Sequence, residues 1–480
     1  MKNSALLTLL TLPLLAACSG MRTADSAANA GAGTSGRIRP WTENPRYWQY
    51  RGQPVLLLGG TKDDNLFQIP DLEAHLDELA SVGGNFIRNT MSDREDKGYE
   101  VHAFKKLPDG RYDLDQWNEE YWRRFERMLE LAEARGIIVQ IEVWDRFDHS
   151  REHWLRDPFR PSNNINYTSE QTGLAEEYPN HPSRDEQPFF HTIPGMEGYE
   201  PRLELVRRYQ ERFVEKILSY TLERGNVLYC MDNETSTAPA WGRYWMEFIR
   251  KRAAGRGLEV YVTDMFDCGW KPEQCVALQE AIAMPETYLF IEISQVNSRN
   301  FGEDHWRRLR WVMERVEEHP RPVNHVKIYG AGATRWGSGT PKDGVERFWR
   351  NLIAGSAAAR FHRDGSGTGL QPVSKAAIRA ARQAESLIKF WDVTPHQELL
   401  RDREENEAYL AAAPGEAYLL YFTGGGEAGL DLSGAEGEFA LRWISVAEGE
   451  WAGGATLEGG QVVRLAAPGP GGWVAAIRKR

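Results

Sequence analysis

Asp115-Gln-Trp-Asn-Glu-Glu-Tyr-Trp-Arg-Arg-Phe-Glu-Arg-Met-Leu-Glu-Leu-Ala-Glu-Ala-Arg135-Gly136-Ile-Ile-Val-Gln-Ile-Glu-Val143 joins two periodicities in one unbroken stretch. Trp117, Tyr121, Phe125, Met128, Leu129 and Ala132 recur three or four positions apart, which predicts an amphipathic helix. Asp115 is its expected N-cap and Gly136 its stop. Ile137–Val143 then reads as a buried strand. The same alternation runs from Pro54 to about Trp391, with apolar runs at Val55–Leu58, Asn85–Asn89, Ile137–Val143, Val227–Met231, Glu259–Thr263, Tyr288–Ile293, Val323–Tyr329 and Ala357–Phe361. Eight strands separated by helices predict parallel pairing in a (β/α)₈ TIM barrel of the α/β class, in preference to an open doubly wound sheet. Gly59-Gly60 after the first run lacks the G-x-G-x-x-G spacing of a dinucleotide site.

Beyond Pro395 the texture changes to short strands between Gly-rich turns: Glu407–Ala412, Glu416–Phe422, Gly429–Leu432, Glu438–Ser445, Val462–Ala466 and Trp473–Ile477. This predicts a small all-β sandwich over 395–480, following a catalytic-type barrel over 37–394. The sandwich holds no cluster of acid, base and nucleophile, so it is expected to pack on the barrel and stabilise it. A long insertion, Asp148–Tyr199, follows the third strand and carries Trp154, Phe159, Tyr167, Tyr178, Phe189 and Phe190, an expected substrate wall.

The 480 residues carry a net charge of −11 with no basic block, which argues against a nucleic-acid partner. Residues 1–17 read as a lipoprotein signal peptide: Lys2, an apolar run from Ala5 to Ala17, then Cys18. Leu15-Ala-Ala-Cys18 resembles a bacterial lipobox, which implies lipidation of Cys18, and 18–36 is a Ser-, Ala- and Gly-rich tether. The implied location is a bacterial cell envelope, with the chain held to a membrane, the outer one by preference, by lipid alone. Of the other cysteines, Cys268 and Cys275 are close enough to pair, and Cys230 reads as a buried thiol. Three scattered cysteines form no zinc pattern, and no metal or organic cofactor is expected.

In barrels of this kind reactive groups sit at the C-terminal ends of the strands. Asn226-Val-Leu-Tyr-Cys-Met-Asp-Asn-Glu234 ends the fourth strand with a carboxylic acid beside an amide. A Glu whose pKa is raised by partial burial suits proton donation to a glycosidic oxygen, and Asn233 could hold a sugar hydroxyl. Here the chain resembles the clan of cellulase-like (β/α)₈ glycoside hydrolases with an acid/base Glu after Asn on strand four. Asn44-Pro-Arg-Tyr-Trp-Gln-Tyr-Arg-Gly-Gln-Pro-Val-Leu-Leu-Leu-Gly-Gly60 is similar to the opening of bacterial members that carry a collagen-binding-type β domain. Ala408-Tyr-Leu, Ala417-Tyr-Leu-Leu-Tyr, Leu430-Asp-Leu-Ser and Phe439-Ala-Leu-Arg-Trp443 are similar to that domain. The resemblance implies Glu234 as acid/base, Asn233 beside it and Arg88 as a supporting cation.

One departure stands out. The clan's nucleophile is a Glu ending strand seven, and Lys327 occupies that position in Val323-Asn-His-Val-Lys-Ile-Tyr329. An ammonium cannot perform carboxylate displacement at a sugar carbon. Strand periodicity puts Glu292 on the polar face of the sixth strand, where it is expected to neighbour Lys327. Glu292 is therefore either one member of a structural buried ion pair or the second catalytic carboxylate. Glu142 and Asp145 on the third strand, and Asp264 and Asp267 after the fifth, read as positioning or structural acids. Asp64, Tyr329 and His362 complete the strand-end set. Lys62, Arg88, Lys327, Arg360 and Arg363 would make the mouth cationic unless Asp63, Asp64, Glu142, Asp145 and Glu292 neutralise them. The sequence thus points to a glycoside hydrolase acting on a polysaccharide or its oligosaccharides, with an anionic glycan favoured by a cationic mouth. Its rivals are a non-catalytic carbohydrate-binding lipoprotein and a polysaccharide lyase using Lys327 and Tyr329. Replacing Cys18 by Ala should leave an uncleaved or soluble exported form. Membrane fractionation and the size of the processed chain check this, and unchanged partition would remove the lipobox reading.

Overall fold

The computed structural model describes residues 1, 36–92, 94–95, 97–332 and 337–480. Cys18, the rest of the signal segment after Met1, and the tether up to residue 35 lie outside the described residues. The expected strands form at β1 Leu57–Gly60, β2 Phe86–Thr90, β3 Ile138–Trp144, β4 Val227–Asp232, β5 Val262–Thr263, β6 Ile291–Glu292, β7 Val323–Ile328 and β8 Ala358–Phe361. They pair in parallel as two arcs, β2-β3-β4-β5 and β6-β7-β8-β1. Backbone bonds join the arcs at both seams: Asn85 N–H donates to Leu58 O (2.8 Å) and Leu289 N–H to Val262 O (3.0 Å). Gly59 explains the first seam, since a Cβ there would lie 1.9 Å from Phe86 O. A Cβ on Gly60 would meet Gly369 O at 2.1 Å, so the pair is needed for close backbone approach.

A helix of eight or more residues follows each strand: α1 Leu72–Ser81, α2 Glu119–Ala134, α3 Glu204–Thr221, α4 Ala240–Ala254, α5 Val276–Ala283, α6 Gly302–Val316, α7 Pro341–Ile353 and α8 Pro372–Leu387. Helix α2 buries Tyr121, Phe125, Met128, Leu129 and Ala132, as the spacing predicts, and also Trp122, whereas Trp117 ends a short strand before the helix begins. Its start differs. Asn118, not Asp115, caps it, with its side chain accepting from Glu120 N–H, because Asp115 belongs to the strand Tyr112–Trp117.

The C-terminal region is two antiparallel sheets. The larger comprises β9 Thr394–Pro395, β11 Ala408–Ala413, β12 Ala417–Phe422, β14 Glu438–Ser445, β15 Glu450–Glu458 and β17 Trp473–Lys479. The smaller comprises β10 Leu400–Arg401, β13 Glu427–Asp431 and β16 Val462–Ala466. Strand β15 escapes the sequence pattern because Gly453 and Gly454 interrupt its alternation and its side chains are largely exposed. Leu410, Tyr418, Leu420 and Phe422 pack with Leu430 and Leu465 between the two sheets. The other face of the large sheet, with Tyr409, Ala411, Leu419, Tyr421, Ile444 and Val474, joins the core of the parallel arcs. Tyr421 stacks on Trp349 of α7 with ring centroids 5.5 Å apart and planes 16° from parallel.

The insertion after β3 is not an aromatic substrate wall. Trp154, Phe159, Tyr167, Tyr178, Phe189 and Phe190 are all buried. Phe189 packs edge-on to Trp144 and stacks on His149 with centroids 3.9 Å apart, so these rings anchor the insertion to the strand ends. Arg151, His181 and Ser183 are its side chains that line the cavity at the strand ends.

Because the large sheet completes the core of the arcs, the two parts should unfold together. Tyr421→Ala is expected to lower global stability by about 3 kcal/mol, read as a single shifted transition in denaturant. A chain ending at Asp392 would expose that apolar face and should be strongly destabilised. A small, separate transition for either variant would count against a shared core.

Candidate active site

Two backbone clamps shape the end of β4. Asn233 N–H donates to Trp144 O on β3 (3.0 Å), and Thr235 N–H donates to Met265 O beyond β5 (2.6 Å). Between them Glu234 takes a left-handed conformation with φ +63°. Non-glycine residues adopt it rarely, and strain of this kind collects at functional sites. Its carboxylate lines a cavity of about 820 Å³ at the C-terminal ends of the strands.

Lys327 reaches across from β7. Its Nζ donates to Glu234 Oε1 at 2.7 Å and also to Asn233 Oδ1. The Tyr329 hydroxyl donates to the same Glu234 oxygen at 3.2 Å. Burial raises the Glu234 pKa, but the Lys327 charge and hydrogen bond more than offset it, and the net direction is downward. This corrects the expectation of a burial-raised acid: in the resting site Glu234 is ionised. Burial and the Glu234 charge push the Tyr329 phenol well above its ordinary value, so it keeps its proton.

Arg88 lies beneath. It is fully buried and pairs with Asp64 (2.5 Å) and Glu142, while its Nη2 donates to Asn233 Oδ1 at 2.8 Å. Asp64 also faces Arg363 (2.8 Å), His362 (3.5 Å) and Arg360 (3.8 Å). Burial raises the Asp64 pKa, but Arg88 and its other basic neighbours hold it well below the usual range. Burial holds His362 well below its ordinary value, hence neutral, with its ring edge-on to Tyr329 at 4.8 Å. Asp64, Asn233, Glu234, Lys327, Tyr329 and His362 all line the cavity.

The structure places Glu292 elsewhere. It is 2% exposed and does not line the cavity. Its Oε1 accepts from Ser294 N–H (2.8 Å) and the Ser294 hydroxyl, and its Oε2 accepts from Gln140 Nε2 (3.3 Å). Lys327, its expected partner, is engaged by Glu234 and Asn233 instead. With no ion-pair partner among the described residues, Glu292 has its pKa pushed up to about 7 by burial. Glu142 is wholly buried against Arg88, and Asp145 binds Arg94 and Phe147 N–H, so neither lines the cavity.

The remaining walls come from loops. Phe147, Arg151, His181 and Ser183 belong to the segment after β3, Asp267 and Trp270 to that after β5, and Gln295 and Arg299 to that after β6. Cys268 and Cys275 form a disulfide beside Asp267, and Cys230 is a buried free thiol. The strand-end rule reaches Gln295 and Arg299, which follow β6 directly. Arg151 and His181 carry no such signal, since only the folding of the insertion brings them here.

Residues 96–264 match a protein family described as a domain of unknown function, DUF6298. No curated protein matches the chain. Among solved structures, the chain is similar to a glycoside hydrolase family 5 protein from Bacteroides vulgatus ATCC 8482, with TM-score 0.62 and 13% identity over 93% of this chain and 94% of that one. A second structure, described as a glycoside hydrolase, matches with TM-score 0.62 and 12% identity over 93% of this chain and 97% of that one. The chain shares the fold of these two proteins.

Because Glu292 is protonated more readily folded than unfolded, its contribution to stability is full below about pH 4.5 and is lost as pH rises through about 7. Glu292→Gln should flatten that decline, a difference of order 2–3 kcal/mol between pH 5 and pH 8. Denaturant unfolding of parent and variant at both pH values measures it. An identical pH dependence in both would show that Glu292 is not the titrating group.

Proposed function

We propose that the protein is a glycoside hydrolase acting on a polysaccharide or its oligosaccharides, in a (β/α)₈ barrel formed by the two arcs, with Glu234 as the catalytic carboxylate. The observation that carries this reading is the Asn233-Glu234 turn. A strained backbone aims an ionised carboxylate into a cavity of about 820 Å³, large enough for sugar units. The likeness in fold to glycoside hydrolases supports the reaction class. Asn233, Tyr329, His362 and Gln295 supply the hydrogen-bonding groups that sugar hydroxyls need.

We infer an anionic sugar. Lys327, Arg94, Arg151, Arg299 and Arg363 line the cavity against Asp64, Glu234 and Asp267. Arg94 is neutralised by Asp145 and Asp148, and Arg363 by Asp64. Arg151 is different: it makes no ion pair with a carboxylate among the described residues, and its Nε is buried without a hydrogen-bond partner. A sugar carboxylate or sulfate would supply the counter-charge that its guanidinium lacks. The lyase rival needs a base, and the raised Tyr329 phenol does not favour one there.

Glu234→Gln should lower turnover about 10²- to 10⁴-fold while calorimetric binding of an oligosaccharide persists. Uronic or sulfated oligosaccharides should be cleaved in preference to neutral ones, giving reducing ends without a new double bond. Binding without cleavage in the parent would favour a non-catalytic carbohydrate binder, and an absorbing double bond in the product would favour a lyase.

A further inference from the structure

We propose that Asp267 donates the proton to the leaving glycosidic oxygen and that Glu234, in the same cavity, is the base activating water, so that cleavage is a single displacement with inversion. The inference rests on the hydrolase reading and gives its second carboxyl group a residue. Asp267 lines the same cavity as Glu234. Its N–H donates to the carbonyl of Thr235, the residue after Glu234, at 3.0 Å, so one backbone bond ties the two turns together. The disulfide Cys268–Cys275 fixes the adjoining residue.

The two carboxyl groups differ in what holds them. Glu234 accepts from Lys327 and Tyr329. Asp264, three residues before Asp267, is held by the Thr235 hydroxyl and Met265 N–H. Asp267 has no side-chain hydrogen bond or ion pair among the described residues, which leaves its carboxyl group available to a ligand. The charges that face it are Glu234, Lys327, Arg146 and Arg299. Burial, then the Glu234 charge, push it up to about 6 against the smaller opposing pull of the three cations. One carboxyl group thus keeps its proton up to about pH 6 while its neighbour has already lost its own, the division that acid and base roles require.

Lys327 accounts for the mechanism as well as the ionisation. It stands where the resemblance to cellulase-like hydrolases puts the carboxylate that forms a glycosyl-enzyme intermediate, and Glu292 lies outside the cavity. Inversion needs no such intermediate. Glu234 takes a proton from water, and the water oxygen forms the new bond to the anomeric carbon. The old C–O bond breaks, its electron pair goes to the leaving oxygen, and that oxygen takes the proton of Asp267. Glu234 ends protonated and Asp267 ionised, and exchange with solvent resets both.

The test uses the full chain, an anionic oligosaccharide, and an activated aryl glycoside of the same sugar. Proton NMR of the parent's first product should show the inverted anomer, a result that needs no variant. The parent's kcat/KM on the oligosaccharide should fall as pH rises through about 6. Asp267→Asn should remove that limb and slow the oligosaccharide about 10²- to 10⁴-fold, while the aryl glycoside, whose leaving group needs no proton, changes far less. A retained anomer overturns the proposal, as does a folded Asp267→Asn with near-parental oligosaccharide turnover. If Glu234→Gln is inactive in either case, the hydrolase reading stands without it. A parent that cleaves neither substrate removes the hydrolase reading, and this proposal with it.

Discussion

The buried guanidinium of Arg88 holds the centre of the molecule together. From β2 it binds Asp64 after β1, Glu142 on β3 and Asn233 after β4, and so ties four consecutive strand ends to one cation. All of these partners are buried. Removing one partner of a buried pair leaves a charge without compensation and typically costs about 3–5 kcal/mol. The network therefore constrains position more than it adds stability. Asn233 is held by Arg88 on one side and Lys327 on the other, and Glu234 follows it in the chain. The location of the cavity carboxylate is in this sense set by a residue that does not itself line the cavity.

Much of this architecture was legible in the sequence. Regular alternation of apolar runs and helical spacing predicts the strands and helices, because both faces of a parallel strand are buried and its apolar run is continuous. The large C-terminal sheet was legible except for β9, which is only two residues long, and β15, whose glycines and exposure erase the period-two signal. Asp115 misled as a cap because a short strand, Tyr112–Trp117, takes it up before the helix begins. No local pattern announces that strand.

The site was legible by position and not by pairing. Strand-end placement leads to Asn233, Glu234, Lys327 and Tyr329, which do meet. Strand periodicity gives Glu292 the correct face but not its depth, and depth decides whether Lys327 or Ser294 is within reach. Cys268 and Cys275 lie seven positions apart, a spacing that permits a disulfide without requiring one. The aromatic richness of the insertion suggested platforms for sugars. Its rings are consumed in attaching a long irregular segment to the strand ends, a demand that composition alone does not separate from ligand stacking.

The left-handed turn at Glu234 sets the interests of the fold against those of the cavity. A glycine would suit φ +63° better than any residue with a Cβ, and an asparagine would suit it better than a glutamate. On backbone grounds alone, then, either of those two would make the more stable turn. A glutamate here costs the fold a little strain, and what the strain yields is a carboxylate at the cavity wall.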